Sequence, residues 1–288
     1  MPQGLKDIRR RIRSVQSTQK ITSAMKLVAA SRMRRAVDRA QSARPYSDAL
    51  HDVLRAVAAE AGGAQQRLPL LQRREVRRTG LLVIAADRGL CGPYNANILR
   101  LMDVVRGQGK GDPAVFAMGR RVRDYCERRR IPLLAAVSPL GDEPTDAQAR
   151  EAAQAAAQAF IEGTVDEVYL VSTRYSGASS HRAQAELLLP IAQPEREGTS
   201  GGRHPYEFEP DPETVLSRLL PAYLNALVYR AVLESKAAEW ASRMVAMDNA
   251  TRNAKDLVRD YTRTLNRLRQ AAITAEIAEL VGGAEAVQ

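Results

Sequence analysis

Leu233–Ala275 reads LESKAAEWASRMVAMDNATRNAKDLVRDYTRTLNRLRQAAITA. Small or apolar residues recur in alternating steps of four and three: Leu233, Ala237, Trp240, Met244, Met247, Thr251, Ala254, Val258, Tyr261, Leu265, Leu268, Ala272 and Ala275. That spacing makes about six heptads of one continuous helix. The other end of the chain carries the same pattern in a single phase, through Leu5, Ile8, Ile12, Val15, Gln19, Thr22, Lys26, Ala29, Met33, Ala36, Ala40, Ala43, Ser47, Leu50, Leu54 and Val57. Two such helices in one chain can pair, provided that what lies between them brings the chain back.

The intervening sequence does so as an α/β unit. Gly80–Ala86 is a short apolar run bounded by Asp87-Arg88-Gly89, and a helix is expected from Tyr94-Asn95 toward Arg106. Ala114–Met118 reads as a second strand, followed by a basic helix through Arg130 and a strand at Ile131–Val137. Thr145–Ile161 is an Ala-Gln helix and Asp166–Thr173 a strand. Ala185–Ile191 and Tyr206–Glu209 also read as strands, on either side of a Gly-rich loop from Glu195 to Arg203. Strands alternating with helices predict a mostly parallel, Rossmann-like sheet. The fold class is thus α/β plus a long antiparallel coiled coil formed by the N- and C-terminal helices. Its predicted parts are 1–62 for the first helix, 75–209 for the α/β domain and 210–288 for the last helix. Arg44-Pro45 predicts a bend or restart in the first helix. Pro210-Asp211-Pro212-Glu213 opens the last one, with proline in the first turn and acids where the helix dipole favours them.

From Glu213 to about Val281 the last helix would be roughly 100 Å long, and its far end, Ala271–Val281, is apolar on most sides. Such an end is expected to be buried in a partner. The net charge is +10, and residues 1–40 hold eleven Lys or Arg against Asp7 and Asp38, which calls for an anionic partner. DNA is not that partner, because these cations lie within the heptads and a basic zipper has neither a return helix nor an α/β domain.

No run of about 18 apolar residues and no apolar signal region are present, so neither a membrane span nor export is expected. Cys91 and Cys126 stand far apart without metal-ligand spacing and read as free thiols. Asp87–Gly92 has too few glycines for a dinucleotide loop, and Gly107–Gly111 lacks the Ser or Thr that a phosphate loop places after Lys. His51, His181 and His204 have no acid or nucleophile at a meaningful spacing. These residues compose no catalytic, cofactor or metal site.

Ile8–Arg34, Glu239–Asn253 and Arg269–Val281, together with Asp87–Asn95 (DRGLCGPYN), closely resemble the gamma subunits of F-type ATP synthases over nearly the whole chain. The resemblance implies a non-catalytic central-stalk rotor. Its coiled coil would stand inside a ring of three alpha and three beta subunits, and its α/β domain would join the epsilon subunit and the membrane c-ring. Rotation would couple ion flow to ATP synthesis or hydrolysis, on the cytoplasmic face of the inner (plasma) membrane. Arg269, Gln270 and Ile273, with Met25, Lys26 and Arg32, match positions that contact the ring; Tyr206 and Glu209 match the foot facing epsilon and the c-ring. Gly92-Pro93 stands where the family has Gly-Gly, Tyr175–Leu188 lacks the family's Phe and Gln-Val-Pro pattern, and the paired-cysteine insert of chloroplast relatives is absent. The alternative is a coiled-coil scaffold or adaptor with a ligand-binding α/β domain, which would not need an exposed apolar tip.

Overall fold

A helix numbered α1, Gln3–Glu60, leads into a five-stranded sheet with its own helices, and a second long helix, α5, Pro212–Glu285, closes the chain. The computed structural model describes residues 3–60, 68–177, 180–192, 208–209 and 211–285. Between the long helices lie β1 (Thr79–Ile84), α2 (Tyr94–Gln108), β2 (Ala114–Met118), α3 (Arg120–Arg129), β3 (Leu133–Val137), α4 (Asp146–Ile161), β4 (Glu167–Tyr175) and β5 (His181–Leu189).

The strand order is β3-β2-β1-β4-β5. The first four strands are mutually parallel and β5 returns antiparallel to β4. Alternation along each strand divides the core. Leu82, Ile84, Phe116, Met118, Val168 and Leu170 face the side covered by α4, α1 and α5. Leu81, Val83, Val115, Ala117 and Val171 face α2 and α3. A side-chain period of two sends neighbouring residues to opposite faces, and a parallel sheet covered on both faces accordingly reads as continuous apolar runs.

Local chemistry sets the ends of these elements. Thr145 caps α4 by accepting from the Gln148 amide while the Gln148 side chain accepts from the Thr145 amide. Gly119, at φ +98°, joins β2 to α3; a Cβ there would lie 2.2 Å from the Ala85 carbonyl oxygen, so only glycine fits. The Asp166 carboxylate accepts from the amides of Arg77 and Arg78 and ties the entrances of β1 and β4 together.

Two expectations change. Of the bend or restart expected at Pro45, the restart does not occur: the first helix is helical from Gln3 to Glu60 with the proline inside. Pro45 is exposed, so the carbonyl it leaves without an amide partner faces solvent, and packing on both sides of it holds the helix together. The strand expected at Tyr206–Glu209 is not formed at Phe208 and Glu209, and its first two residues lie outside the described residues.

The chain forms two compact units. One comprises Met1–Ala29 with Arg243–Gln288, and the other Ala30–Ser242, which holds the sheet.

Candidate functional site

In the helical unit α1 and α5 run antiparallel. Thr251 donates to Thr22 at 2.8 Å, and the Lys26 ammonium meets Asp248 at 2.6 Å. The predicted heptad positions form the seam: Leu5, Thr22 and Ala29 are buried, and Ile8, Ile12, Val15, Gln19 and Lys26 half-buried. On α5, Met247 and Ala254 are buried, and Val258, Tyr261 and Leu265 half-buried. Continuing the register from Thr22 and Thr251 brings Gln3 opposite about Gln270. Beyond that point α5 has no α1 residue beside it within this unit, and Ile273 and Ile277 are 45% and 56% exposed. Lower down, Ile21, Leu27 and Val28 are 57%, 69% and 52% exposed, so the pair is apolar outside its own seam as well. The unit holds fourteen Lys or Arg against seven acids, which is most of the chain's excess charge.

In the sheet-bearing unit, Val232–Ser242 of α5 is buried at every residue. Ala238 packs with Ala86, Cys91 and Tyr94. The Thr173 amide, in β4, donates to Ser235 Oγ at 3.1 Å, and Ser242 Oγ donates to the Cys91 carbonyl in the loop after β1 at 2.7 Å. The Tyr94 hydroxyl bonds the side chains of Ser235 and Thr173; burial first, and the Glu239 carboxylate second, push its ionisation far above the ordinary tyrosine range, so it stays neutral. Lys236 and Glu239 form a buried pair at 2.7 Å. On α1, Arg32 pairs with Asp142 and stacks over Trp240.

The β1–α2 loop explains its own sequence. Asp87 accepts from the amides of Arg120 and Gly141, joining three loops at one end of the sheet. Asn95 accepts from the Ala86 amide and donates to the Arg88 carbonyl and to Cys91 Sγ. Both cysteines are buried and in no disulfide. Among the described residues no cluster of His, Cys, Asp or Glu is arranged to hold a metal.

A family model described as ATP synthase matches residues 4–287. The ATP synthase gamma chain of Moorella thermoacetica is 46% identical over 285 residues, covering 99% of each chain. This chain belongs to the ATP synthase gamma-chain family. The gamma chain of Desulforamulus reducens is likewise 46% identical over 283 residues, 98% of this chain and 99% of that one. A chain in the cryo-EM structure of the Tetrahymena thermophila mitochondrial ATP synthase central stalk and c-ring matches with TM-score 0.61 and 27% identity, over 80% of this chain and 99% of that one. A chain of the Euglena gracilis mitochondrial ATP synthase, in rotational state 3, gives TM-score 0.70 at 18% identity, over 99% and 94% of the two chains; that likeness is one of fold.

The gamma-family positions named from sequence fall into separate groups. Arg269, Gln270 and Ile273 are exposed on α5 where α1 runs out. Met25 and Lys26 lie opposite Asp248, roughly 30 Å down the helix pair from Arg269 at about 1.5 Å per residue. Lys26 is engaged within the pair and Arg32 is engaged with Asp142, so neither is a freely projecting cation. Glu209 is exposed near the start of α5, and Tyr206 lies outside the described residues. Sequence reasoning missed Ser235, Lys236, Glu239 and Ser242. The signal available was the run Ala237, Ala238, Trp240, Ala241, which with the heptad residues leaves α5 almost no polar face in that stretch.

Proposed function

We propose that this gamma-family chain is the central-stalk rotor of an F-type ATP synthase and catalyses nothing itself. Its helix pair stands in a ring of three alpha and three beta subunits, and its sheet-bearing unit meets the epsilon subunit and the c-ring. The observation that carries the reading is the α5 end: apolar, unpaired by α1 and flanked by Arg269 and Gln270. An apolar helix end of this kind is stable in water only when something covers it. The excess positive charge of the helical unit fits an acidic lining around it.

The mechanism follows from asymmetry. Met25 and Lys26 are on α1 and Leu257, 46% exposed, is on α5, so the two helices offer unlike side chains and each beta subunit meets a different surface at each rotor angle. A partner shifts a conformational equilibrium only by binding its states differently, and turning the shaft changes which beta site receives which surface. Arg32 would reach the ring only by leaving Asp142. Tyr206 and Glu209 form the foot toward epsilon and the c-ring. Among the described residues no helix is long and apolar enough to cross a membrane, which fits a peripheral subunit, placed here on the cytoplasmic face of the plasma membrane. Family membership leaves no support for the adaptor reading.

The test is ATP hydrolysis by alpha and beta subunits from the same source with and without this chain, with size-exclusion of the mixture. One copy per three of each partner is expected. Turnover should depend on the chain and weaken in an Arg269→Ala, Gln270→Ala variant. A chain that neither co-elutes nor changes turnover overturns the reading.

A further inference from the structure

We propose that Ser235 and Ser242, with Tyr94, form a rotational lock that makes α5 turn together with the sheet; the inference rests on the rotor reading. A rotor that receives torque at its sheet-bearing unit must pass it to a helix; large α5 side chains from Leu216 to Val232 share the sheet's core, but the last stretch before the helix leaves this unit meets it through small side chains. Ser235, Ala238 and Ser242 lie on one face of α5 at steps of three and four, and Ala237 and Ala241 flank them. All five are buried at 3% exposure or less. Apolar contact is not directional, and a stripe of small side chains offers no ridge to lodge in a groove. Packing alone therefore resists axial slip and rotation weakly along this stripe.

Directional bonds supply what packing lacks. Ser235 accepts from the backbone of Thr173, and Ser242 donates to the backbone of Cys91. Thr173 lies within β4, two residues before its end, and Cys91 in the loop that follows β1, the neighbour of β4 in the sheet. The two serines are seven residues apart, about 10 Å along the axis and nearly in line. One attachment would leave this stretch of the helix able to twist about it, whereas two attachments separated along the axis, one to a strand and one to a cross-linked loop, fix its angle and its height. Tyr94 is buried beside Ala238, between the two serines along the helix, and so backs the first attachment from the side. The β1–α2 loop that presents Cys91 is itself cross-linked through Asp87 and Asn95, so the second attachment is stiff as well.

The test uses the complete ATP synthase containing this chain, reconstituted in sealed vesicles with proton- and sodium-sensitive dyes. Ion uptake and phosphate release are recorded together while the ion gradient builds. For the Ser235→Ala, Ser242→Ala variant, the ratio of ions moved to ATP hydrolysed should match the parent at first and fall about twofold or more as the gradient opposes rotation. A merely structural role would lower both rates and leave the ratio unchanged at every gradient, and that result overturns the lock. If the double variant does not assemble, Ser242→Ala alone is judged by the same ratio, with a smaller fall expected. The parent complex separates the two readings. Hydrolysis without any ion uptake by the parent overturns the rotor assignment, whereas a parent that pumps beside a variant with the same ratio overturns the lock alone.

Discussion

Breaking the Lys236–Glu239 pair should be among the most damaging surface-preserving changes in this chain. Both side chains are almost fully buried, 6% and 5% exposed, with Nζ 2.7 Å from Oε2. Glu239→Leu strands the Lys236 ammonium in the seat of α5, and Lys236→Met takes from the buried Glu239 carboxylate its 2.7 Å ammonium partner. Removing one partner of a buried pair costs about 3–5 kcal/mol, because the survivor keeps its desolvation penalty without its counter-charge. The Lys236→Met, Glu239→Leu double variant removes both charges at similar volume and should fall within about 2 kcal/mol of the parent. At a urea dependence of about 3 kcal/mol per molar, each single change lowers the unfolding midpoint by about 1 M or more. Trp240 is the only tryptophan, follows Glu239 directly, and is buried with Arg32 over its ring, so its fluorescence reports loss of this seat. The reasoning is refuted if the two single costs add to the double cost within about 0.5 kcal/mol. It is also refuted if either single midpoint moves by less than about 0.3 M.

Two further outcomes concern ionisation. The Lys26 ammonium first, and Arg252 second, hold the Asp248 carboxyl below its ordinary 3.8. A folded value below the unfolded one means that the Asp248 contribution is complete above about pH 5 and is lost as pH falls through the folded value, so an acid titration of thermal stability should be flat above about pH 5 and decline below about pH 4. Asp248→Asn should begin lower and decline less, and an unchanged acid slope in that variant would contradict the assignment. Burial, before any charge, pushes the Cys126 thiol up to about 11. Iodoacetamide at pH 8 should therefore label Cys126 only in urea, read by mass of the digested chain, and rapid labelling in native buffer would show that the thiol is reachable.

Much of the architecture was legible because it rests on local periodicity. Every heptad position read on α1 from Leu5 to Val57 is buried or half-buried, and those read on α5 stay so through Leu265. Leu268, by contrast, is 38% exposed, because the register exhausts α1 at about that level. The strand runs were legible for the same reason, since residues buried on both faces of a sheet leave no polar alternation. Proline at position 45 does not end the helix, because its cost is local, while the packing that outweighs it spans many residues. The return of β5 antiparallel to β4 could not be read from strand spacing, and neither could β5's place at the sheet edge.

The sequence by itself determined the two paired helices, the α/β unit between them, the family, and the apolar end that calls for a partner, since periodicity, charge and long motifs are properties of the chain read in order. Only the tertiary structure decided which charges are free and which are committed. Lys236 and Glu239 are three residues apart on a helix, a spacing that reads equally as an exposed surface pair, and their burial comes from a sheet built by residues 79–189. Ser235 and Ser242 likewise acquire their roles from Thr173 and Cys91, more than sixty residues away in sequence. Burial and hydrogen-bond partnership between distant segments depend on how the whole chain closes, and no local pattern encodes them.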